Sequence, residues 1–324
     1  MYPKHPFLTL TGLLFFSFFI AAESTPDSIP SFENKEDVFR VGWLSDSLDY
    51  SFIDTEKVYD ERWDLLAQPQ FWKKVMTLST DSCVINIAKT REIVVQMSVE
   101  KWDQKSDKQK DNYRDSVRKS RELSENDKVY MTTGKADYYA FDKVIPSISK
   151  GIEVFQKQGV DPFYAQAILM IESPGKLEKS NAGAYGPFQL MTSVARTHGL
   201  RVDRYVDERK DFTKSAEAAS SLIAKTCIPE ANKLLQKHSI VFHEKELWYR
   251  LFVLHIYHAG AANVASVMNV INPNQGGMGL IQKMWRTSAG RFRNASQNYS
   301  QLAIAAMLIL DELIWLNCEN EEEV

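Results

Sequence analysis

One stretch of the chain, residues 165–191 (AQAILMIESPGKLEKSNAGAYGPFQLM), carries side chains suited to acid–base chemistry. Within it, Glu172 follows the apolar run AILMI and precedes Ser173, and Pro174-Gly175 then ends a predicted helix. Unpaired carbonyl groups and the helix dipole disfavour a carboxylate at the C-terminal end of a helix, and apolar neighbours oppose its ionisation. Both effects raise the pKa of Glu172 towards the value that a general acid needs near neutral pH. A glutamate at a helix end beside a serine is also common in structural roles, so this pair alone assigns no chemistry.

Further polar and small residues follow Glu172 in order. Gly183 and Gly186 flank a tight turn where the backbone could approach a ligand. Gln189 can both donate and accept hydrogen bonds, which suits an N-acetyl group or a sugar hydroxyl. Later in the chain, residues 256–260 (IYHAG) close another predicted helix with small residues, and Tyr299 opens the last predicted helix.

Four motifs in this order resemble those of the soluble-type lytic transglycosylases, whose catalytic domain has a goose-lysozyme-like fold. They are Glu172-Ser173, the string G-A-x-G-x-x-Q-x-M that runs from Gly183 to Met191, Tyr257-x-Ala259-Gly260, and Tyr299. The resemblance covers roughly residues 144–316. Four motifs in order are far more specific than any one of them.

The resemblance implies a mostly helical domain around a cleft that binds peptidoglycan strands. In such enzymes one glutamate protonates the glycosidic oxygen between N-acetylmuramic acid and N-acetylglucosamine. Its carboxylate then accepts a proton from the muramic acid 6-hydroxyl as that oxygen closes on C1, which leaves a 1,6-anhydro end. By position Glu172 would serve both steps, and the predicted substrate-binding residues are Ser173, Gln189, Met191, Tyr257, His258 and Tyr299. Of these, Ser173 and Gln189 would hold substrate or orient the acid, Met191 would line the cleft, Tyr257 would pack beneath the site and Tyr299 would donate near the carboxyl.

The sequence also departs from the family pattern. Pro187-Phe188 replaces the usual Leu-Met before Gln189, and His258 stands where an Asn is usual, either as a polar group in the cleft or in a structural hydrogen bond. These departures keep open a noncatalytic protein that binds peptidoglycan or acts as an envelope scaffold. A hydrolytic muramidase is a second alternative, because a conventional glycosidase needs a second carboxylate. The nearby candidates are Glu178, Asp203, Asp207, Glu208 and Asp211, although none of them occupies a motif position.

Composition and charge narrow the class of partner and cofactor. The chain has 324 residues and a net charge of −3, which does not favour nucleic acid or an anionic membrane as a partner. Cys83, Cys227 and Cys318 match neither a zinc site nor a redox pair, so no metal or other cofactor is expected. In an exported protein Cys227 and Cys318 could form a disulfide, but three free buried thiols are an equally good interpretation. Cell-envelope proteins remain candidate partners, and the sequence does not indicate an oligomeric state.

The predicted domain organisation begins with an export signal. Residues 1–22 are typical of a cleavable secretory signal, and an uncleaved anchor is the alternative. No cysteine lies near the end of this segment, so the sequence does not support a lipoprotein. We therefore expect an exported, periplasmic or envelope-associated protein. The remaining segments are a flexible lead-in (23–40), an accessory region of unknown function (41–140), the catalytic domain (141–318) and an acidic, frayed tail (319–324). No stretch after the signal is expected to be long and apolar enough to cross a bilayer.

The expected fold class is α+β, a mostly α-helical lysozyme-like domain preceded by a small mixed α/β region. Residues 41–76 are predicted to form one or two short helices ending near Pro69, residues 83–98 a hairpin, and residues 101–128 a solvated helix. Further helices are predicted at 144–156, with Pro146 in its first turn, and at 214–227, 229–238, 246–258, 262–270 and 299–316. Asp161-Pro162 is typical of the start of the helix that carries Glu172. Residues 272–296 are predicted to be irregular.

Overall fold

A computed structural model describes residues 37–172 and 179–322 of the chain. The fold class is confirmed, because small sheets near the N-terminal end precede a long helical part. The strands are β1 (Val38–Trp43), β2 (Leu48–Ile53), β3 (Ser82–Ile87), β4 (Ile93–Ser98) and β5 (Val129–Thr133). The helices are α1 (Glu56–Asp60), α2 (Ala67–Thr77), α3 (Val99–Asp103), α4 (Asp107–Ser120), α5 (Phe141–Lys157), α6 (Phe163–Glu172), α7 (Thr192–Thr197), α8 (Phe212–Leu222), α9 (Ile228–Lys237), α10 (Leu247–Ala259), α11 (Ala261–Ile271), α12 (Met278–Arg286) and α13 (Asn294–Glu322).

The segment after the lead-in differs from its prediction. Residues 38–53 form an antiparallel hairpin of β1 and β2, which the sequence did not predict, whereas the predicted short helical segments are present at Glu56–Asp60 and Trp63–Leu65. Tyr50 and Phe52 alternate along β2 and are buried against the core, as aromatic residues often are in strands. Pro69 does not end a helix either. It lies in the first turn of α2, where the absence of an N–H group costs no hydrogen bond.

The predicted hairpin at residues 83–98 is confirmed as β3 and β4, and β5 adds a third strand on the other side of β3. Both faces of β3 are buried because its side chains alternate between two clusters. Cys83 and Ile85 pack with Trp102 and other residues in a small separate cluster, whereas Val84 joins the main core. The charged segment after β4 forms two helices, α3 and α4, instead of one.

The main core is continuous across the predicted boundary at residue 140. Aromatic residues before that position, including Phe52, Trp63 and Phe71, belong to the same buried cluster as side chains from α5 to α13. The described residues accordingly form one compact unit. The boundary predicted at residue 140 therefore does not separate two cores.

The last helix is the central element of this core. Contrary to the expectation from sequence, its portion Asn294–Glu319 is long and apolar enough to span a membrane, with a hydropathy of 1.5 over its most apolar window. Half of that window is buried, and the helix contacts α2, α6, α10 and α12. Packing inside the protein thus accounts for its apolar length. The acidic segment, predicted to fray, continues this helix as far as Glu322.

The remaining helices match the predictions closely, with two corrections. Residues 272–296 are not irregular, because α12 forms within them and α13 already begins at Asn294. Asn272, at φ +44°, ends α11, and Gly277, at φ +89°, precedes α12, so these turn residues separate two helices instead of marking one long loop. Helix α5 begins at Phe141, which places Pro146 in its second turn.

The cysteines are resolved as free thiols. Cys83 and Cys227 are buried and Cys318 is exposed, so the alternative of a Cys227–Cys318 disulfide is not realised. Burial also raises the pKa of the Cys227 thiol to about 12, as desolvation disfavours the thiolate. Neither buried thiol is therefore a ready nucleophile.

Candidate active site

Glu172 is the last residue of α6, a helix whose other nine residues are all buried. The start of this helix is fixed by Asp161, whose Oδ1 accepts a hydrogen bond from the backbone N–H of Phe163 at 3.0 Å. The Glu172 side chain itself is partly exposed. Its surroundings remove most of the water from the carboxyl group and raise its pKa to about 7. The direction of this shift is the one predicted from the sequence.

Three tyrosines lie near the Glu172 carboxyl group: Tyr139 and Tyr299, which are buried, and Tyr257, which is partly buried. Burial raises the pKa of each phenol, and the negative charge of Glu172 raises it further. In return, the Tyr299 hydroxyl favours the ionised carboxylate and lowers the pKa of Glu172. The contact falls short of regular hydrogen-bond geometry, since no described residue completes a hydrogen bond to the Tyr299 hydroxyl. Glu172 is thus held in an environment of phenols and apolar groups.

The Gly/Ala-rich segment folds into a tight turn, which we call the Gly186 turn (residues 185–190). Tyr185 and Leu190 exchange backbone hydrogen bonds of 3.1 Å in both directions. At φ +85°, Gly186 lies so close to the backbone of Arg209 that an added Cβ would be 1.9 Å from the Arg209 carbonyl oxygen. Gln189 has φ +45°, and its Nε2 donates to the Gly186 carbonyl oxygen at 3.1 Å. A positive φ is uncommon for a non-glycine residue and occurs both in ordinary turns and at functional sites.

Two aromatic residues attach the Gly186 turn to the core. The Tyr257 hydroxyl donates to the Phe188 carbonyl oxygen at 2.6 Å. The Phe188 ring is fully buried and stacks on Phe155, with 5.7 Å between ring centroids. Phe188, which departs from the family pattern, is therefore a core residue. Tyr257 lies below the turn, where its hydroxyl supports the backbone.

Arg209 holds the same turn from the other side, and sequence reasoning missed it. Its Nη1 donates to the carbonyl oxygens of Gly183 and Leu190, both at 2.9 Å. The side chain is only 2% exposed, and its charge is balanced by a two-point contact with the Asp207 carboxylate at 2.9 and 2.7 Å. The only sequence signal is the Asp-x-Arg spacing, which is too common to indicate this role.

His258 stacks on Tyr299, with 4.4 Å between ring centroids and 22° between the planes. The residue is exposed as a whole, yet its surroundings desolvate the imidazole and lower the pKa of His258 to about 4. The ring is therefore neutral at physiological pH. The described residues include no cluster of histidine, cysteine and acidic side chains that could hold a metal ion. The neighbouring His255 is fully buried and lies 2.8 Å from Ser300 Oγ through Nε2.

The other carboxylates predicted as candidate acids are engaged elsewhere. Asp203 accepts from Arg201 and from the backbone N–H groups of Tyr205 and Val206, contacts that lower its pKa to about 2. The guanidinium of Arg209 lowers the pKa of Asp207, and Lys214 lowers that of Glu208. Asp211 caps α8 by accepting from the Lys214 N–H at 2.9 Å. All four are tied to cations or backbone groups, unlike Glu172.

Two predicted residues beside Glu172, Ser173 and Glu178, lie outside the described residues. Met191 is 41% exposed and immediately precedes α7. Tyr139, by contrast, was not predicted, because the sequence placed it in the accessory region. It stacks on Phe141 at the start of α5, with ring centroids 5.7 Å apart, and this packing brings the phenol to Glu172. The Tyr138-Tyr139 pair before a helix was its only sequence signal.

Residues 151–270 match the family model of the transglycosylase SLT domain. The chain contains an SLT domain. No curated protein matches the chain. The resemblance to the soluble-type lytic transglycosylases is confirmed, and the SLT domain supports lytic transglycosylase activity with peptidoglycan as the substrate.

The matched residues do not contain the whole site. The SLT domain match includes Glu172, the Gly186 turn and His258, but Tyr139 and Tyr299 lie on either side of it. The environment of the Glu172 carboxyl group is therefore completed by residues that precede and follow the SLT domain match.

Proposed function

We propose that the protein is an exported peptidoglycan lytic transglycosylase in which Glu172 is the catalytic general acid and then the general base. The bond cleaved is the β-1,4 linkage between N-acetylmuramic acid and N-acetylglucosamine. The observation that best supports this proposal is the pKa of about 7 for a carboxyl group at the end of a buried helix within an SLT domain. A group with this pKa is partly protonated and partly ionised at neutral pH, so both forms needed by the reaction are available.

The first step needs the protonated acid. The Glu172 carboxyl group donates its proton to the glycosidic oxygen, the bond from C1 of muramic acid to that oxygen breaks, and N-acetylglucosamine leaves with a free 4-hydroxyl. In the second step the carboxylate accepts the proton of the muramic acid 6-hydroxyl while that oxygen bonds to C1. The product has a 1,6-anhydro ring, Glu172 regains its proton, and water is not consumed.

The residues around Glu172 have distinct roles in this proposal. Tyr299 and Tyr139 keep the carboxyl group in a desolvated pocket, and Tyr299 moderates its pKa. The Gly186 turn presents Gln189 to the glycan, as does the next residue, Met191, and Tyr257 and Arg209 fix the backbone of that turn. His258 serves as a neutral ring against Tyr299. Ser173 would contact the substrate or the acid beside it.

A hydrolytic muramidase would need a second carboxylate to activate water. Asp203 and Asp207, the candidates for that role, are held by arginines and have lowered pKa values. A carboxylate in a two-point contact with an arginine is a weak base. These contacts favour a reaction with a single acid.

Mass spectrometry of peptidoglycan sacculi digested with the wild type and with Glu172→Gln tests the proposal. We expect soluble products with 1,6-anhydromuramoyl ends from the wild type and none from the variant. Reducing muramic acid ends would establish the muramidase instead. Binding to sacculi without release of products, unchanged in the variant, would establish the noncatalytic alternative.

Export is part of the proposal and rests on residues 1–22, which lie outside the described residues. Cell fractionation and N-terminal sequencing of the mature protein test it. We expect an envelope fraction and a mature chain that begins near residue 23. A cytoplasmic protein with an intact N-terminus would contradict the prediction.

A further inference from the structure

A second cavity, of about 650 Å³, lies between the β3–β4 turn, the segment before β5, the end of α12 and the start of α13. We call it the basic cavity, because five of its lining side chains are cationic: Lys89, Arg91, Lys128, Arg286 and Arg293. Its other lining residues include the amides of Gln68, Asn126, Asn294, Gln297 and Gln301 and the rings of Tyr130 and Trp285. A cavity of this size accommodates a small organic ligand.

The charge of this cavity contrasts with that of the chain. The protein has a net charge of −3, yet the five cations of the cavity face a single lining carboxylate, Asp127. Within the described part of the chain, none of the five cations forms an ion pair. Asp127 already accepts hydrogen bonds from Ser124, which lower its pKa. Five like charges that share one carboxylate repel one another, and an anionic ligand would relieve that repulsion.

Neighbouring side chains hold the Arg91 guanidinium in place. Its Nη2 donates to Asn298 Oδ1 at 2.8 Å, and its guanidinium lies over the rings of Phe71 and Trp72, 5.1 and 5.6 Å from their centroids. The backbone of Arg91 has φ +64°, which is uncommon for a residue other than glycine. Partial burial of the side chain lowers the pKa of Arg91. The contacts with Asn298, Phe71 and Trp72 position the guanidinium before any ligand binds. A preorganised guanidinium favours carboxylate and phosphate groups, which it can bind through two parallel hydrogen bonds.

The start of α13 adds to the positive potential. Asn294, its first residue, lines the basic cavity, so the positive end of the dipole of a 29-residue helix lies at the cavity wall. The side-chain amide of Gln297, on the next turn, can supply a donor and an acceptor for the polar parts of a ligand, whereas that of Gln301 is already bonded to Trp72 and to the Gln297 carbonyl oxygen.

The basic cavity is separate from the Glu172 site. On α13, Gln297 and Gln301 line the cavity, whereas Tyr299 faces Glu172. Residues two apart in a helix point about 200° from each other, so the two sites lie on opposite sides of this helix. All five cations also lie outside the SLT domain match at residues 151–270.

We propose that the basic cavity binds a small anionic ligand that carries two or more carboxylate or phosphate groups. Five cations from four segments of the chain surround one space, with amides between them. Two sources of such anions are phosphorylated compounds and the carboxylate-rich peptide stems of peptidoglycan.

Isothermal titration calorimetry of the full chain tests this proposal with two probes that lack sugar. Inorganic pyrophosphate represents phosphates, and the free tripeptide alanyl-glutamyl-diaminopimelate represents peptide stems. The test variant is Lys128→Glu with Arg286→Glu, two exposed positions in the cavity wall. The matched control is Lys157→Glu with Lys225→Glu, two exposed lysines outside the cavity that change the net charge equally.

We expect saturable binding of at least one probe by the wild type, weakened at least tenfold in the cavity variant and within twofold of the wild type in the control. Binding should weaken with rising salt. Binding of pyrophosphate alone would identify phosphate as the ligand chemistry, and binding of the tripeptide alone would identify carboxylates. Binding of neither probe, or equal weakening in the two double variants, would overturn the proposal. Glu172→Gln should bind as the wild type does, so this result is independent of the proposed catalytic role.

Discussion

Two carboxylates of the SLT domain, Glu172 and Asp207, have opposite environments. Glu172 is surrounded by tyrosines and apolar groups, no lysine or arginine among the described residues contributes to its pKa, and that pKa rises to about 7. Asp207 accepts two hydrogen bonds from one edge of the Arg209 guanidinium, from Nε and Nη2, and this contact lowers the pKa of Asp207. The presence or absence of a neighbouring cation therefore determines whether each carboxyl group can exchange a proton near neutral pH. An acid without a cation can exchange a proton near neutral pH, whereas an acid paired with an arginine stays ionised.

The two carboxylates nevertheless serve one site. Asp207 neutralises Arg209, and Arg209 holds the carbonyl oxygens of Gly183 and Leu190 at both ends of the segment that carries Gln189. Asp207, which is ionised, thus stabilises the backbone of the site. Glu172, whose pKa lies near 7, is available for proton transfer.

The strongest test of this contrast is the rate of glycan cleavage. Glu172→Gln should reduce kcat by about 10³-fold, the scale of a general acid–base contribution, because the amide can neither donate nor accept the reacting proton. Asp207→Asn, assayed well below its unfolding temperature, should stay within about tenfold of the wild type, since the residue touches only Arg209 and the local backbone. Glu153→Gln, an exposed position on α5, is the control. Equal losses of kcat in the Glu172 and Asp207 variants would show that the two carboxylates do not differ in catalytic role.

The next effect concerns the Gly186 turn, which Arg209 braces. Gly186→Ala should lower the free energy of unfolding by about 3 kcal/mol, because its Cβ would meet the Arg209 carbonyl oxygen at 1.9 Å. Gly183→Ala is a matched control, as that residue has a similar φ of +90° but open space around it. It should cost only about 1 kcal/mol. Urea denaturation measures both values, and equal losses would show that backbone strain alone accounts for the effect.

Asp207→Asn should lower the free energy of unfolding by about 2 kcal/mol at pH 7, since the buried Arg209 would lose its counter-charge. The folded pKa of Asp207 lies below its unfolded value, so its contribution is present above the unfolded pKa and is lost as pH falls through the folded one. The difference between wild type and variant should therefore shrink in acid. A difference that does not change with pH would show that Arg209 does not depend on this charge.

Glu172→Gln should have the opposite effect on stability. The pKa of Glu172 is raised from 4.5 to about 7, so between these values the folded state retains a proton that the unfolded state releases. Wild-type stability therefore falls as pH rises through this window, whereas glutamine is insensitive to it. We expect the variant to be about 1 kcal/mol more stable at pH 8 and close to the wild type at pH 4. Urea titrations at the two pH values measure the difference, and a less stable variant at pH 8 would contradict the assigned pKa.

The smallest effect concerns Tyr299. In the wild type, kcat/KM should fall as pH rises through about 7, because Glu172 loses the proton required for the first step. The Tyr299 hydroxyl lowers the pKa of Glu172, so Tyr299→Phe should move this midpoint to higher pH. Tyr205→Phe, at a residue that is 73% exposed, should leave the midpoint in place. A shift to lower pH would show that Tyr299 stabilises the protonated acid.

The sequence by itself determined the features that depend on neighbouring residues. The apolar run before Glu172, the Asp161-Pro162 start of α6 and the hairpin at residues 83–98 follow from local periodicity and turn residues, and the structure contains all three. The direction of the Glu172 pKa shift was also predictable, because its apolar neighbours are adjacent in sequence. The four ordered motifs were sufficient to identify the SLT domain.

Only the tertiary structure decided which distant residues meet. Tyr139 reaches Glu172 from a region assigned to an accessory role, Arg209 reaches back to Gly183 and Leu190, and Phe188 enters the core beside Phe155. The spacing of residues along the chain does not encode such contacts, since they arise when elements distant in the sequence pack together. The five cations of the basic cavity are likewise scattered from Lys89 to Arg293, and only the packing of a small sheet against two helices makes them neighbours. The sequence therefore supplied the acid, and long-range packing supplied the environment that sets its pKa.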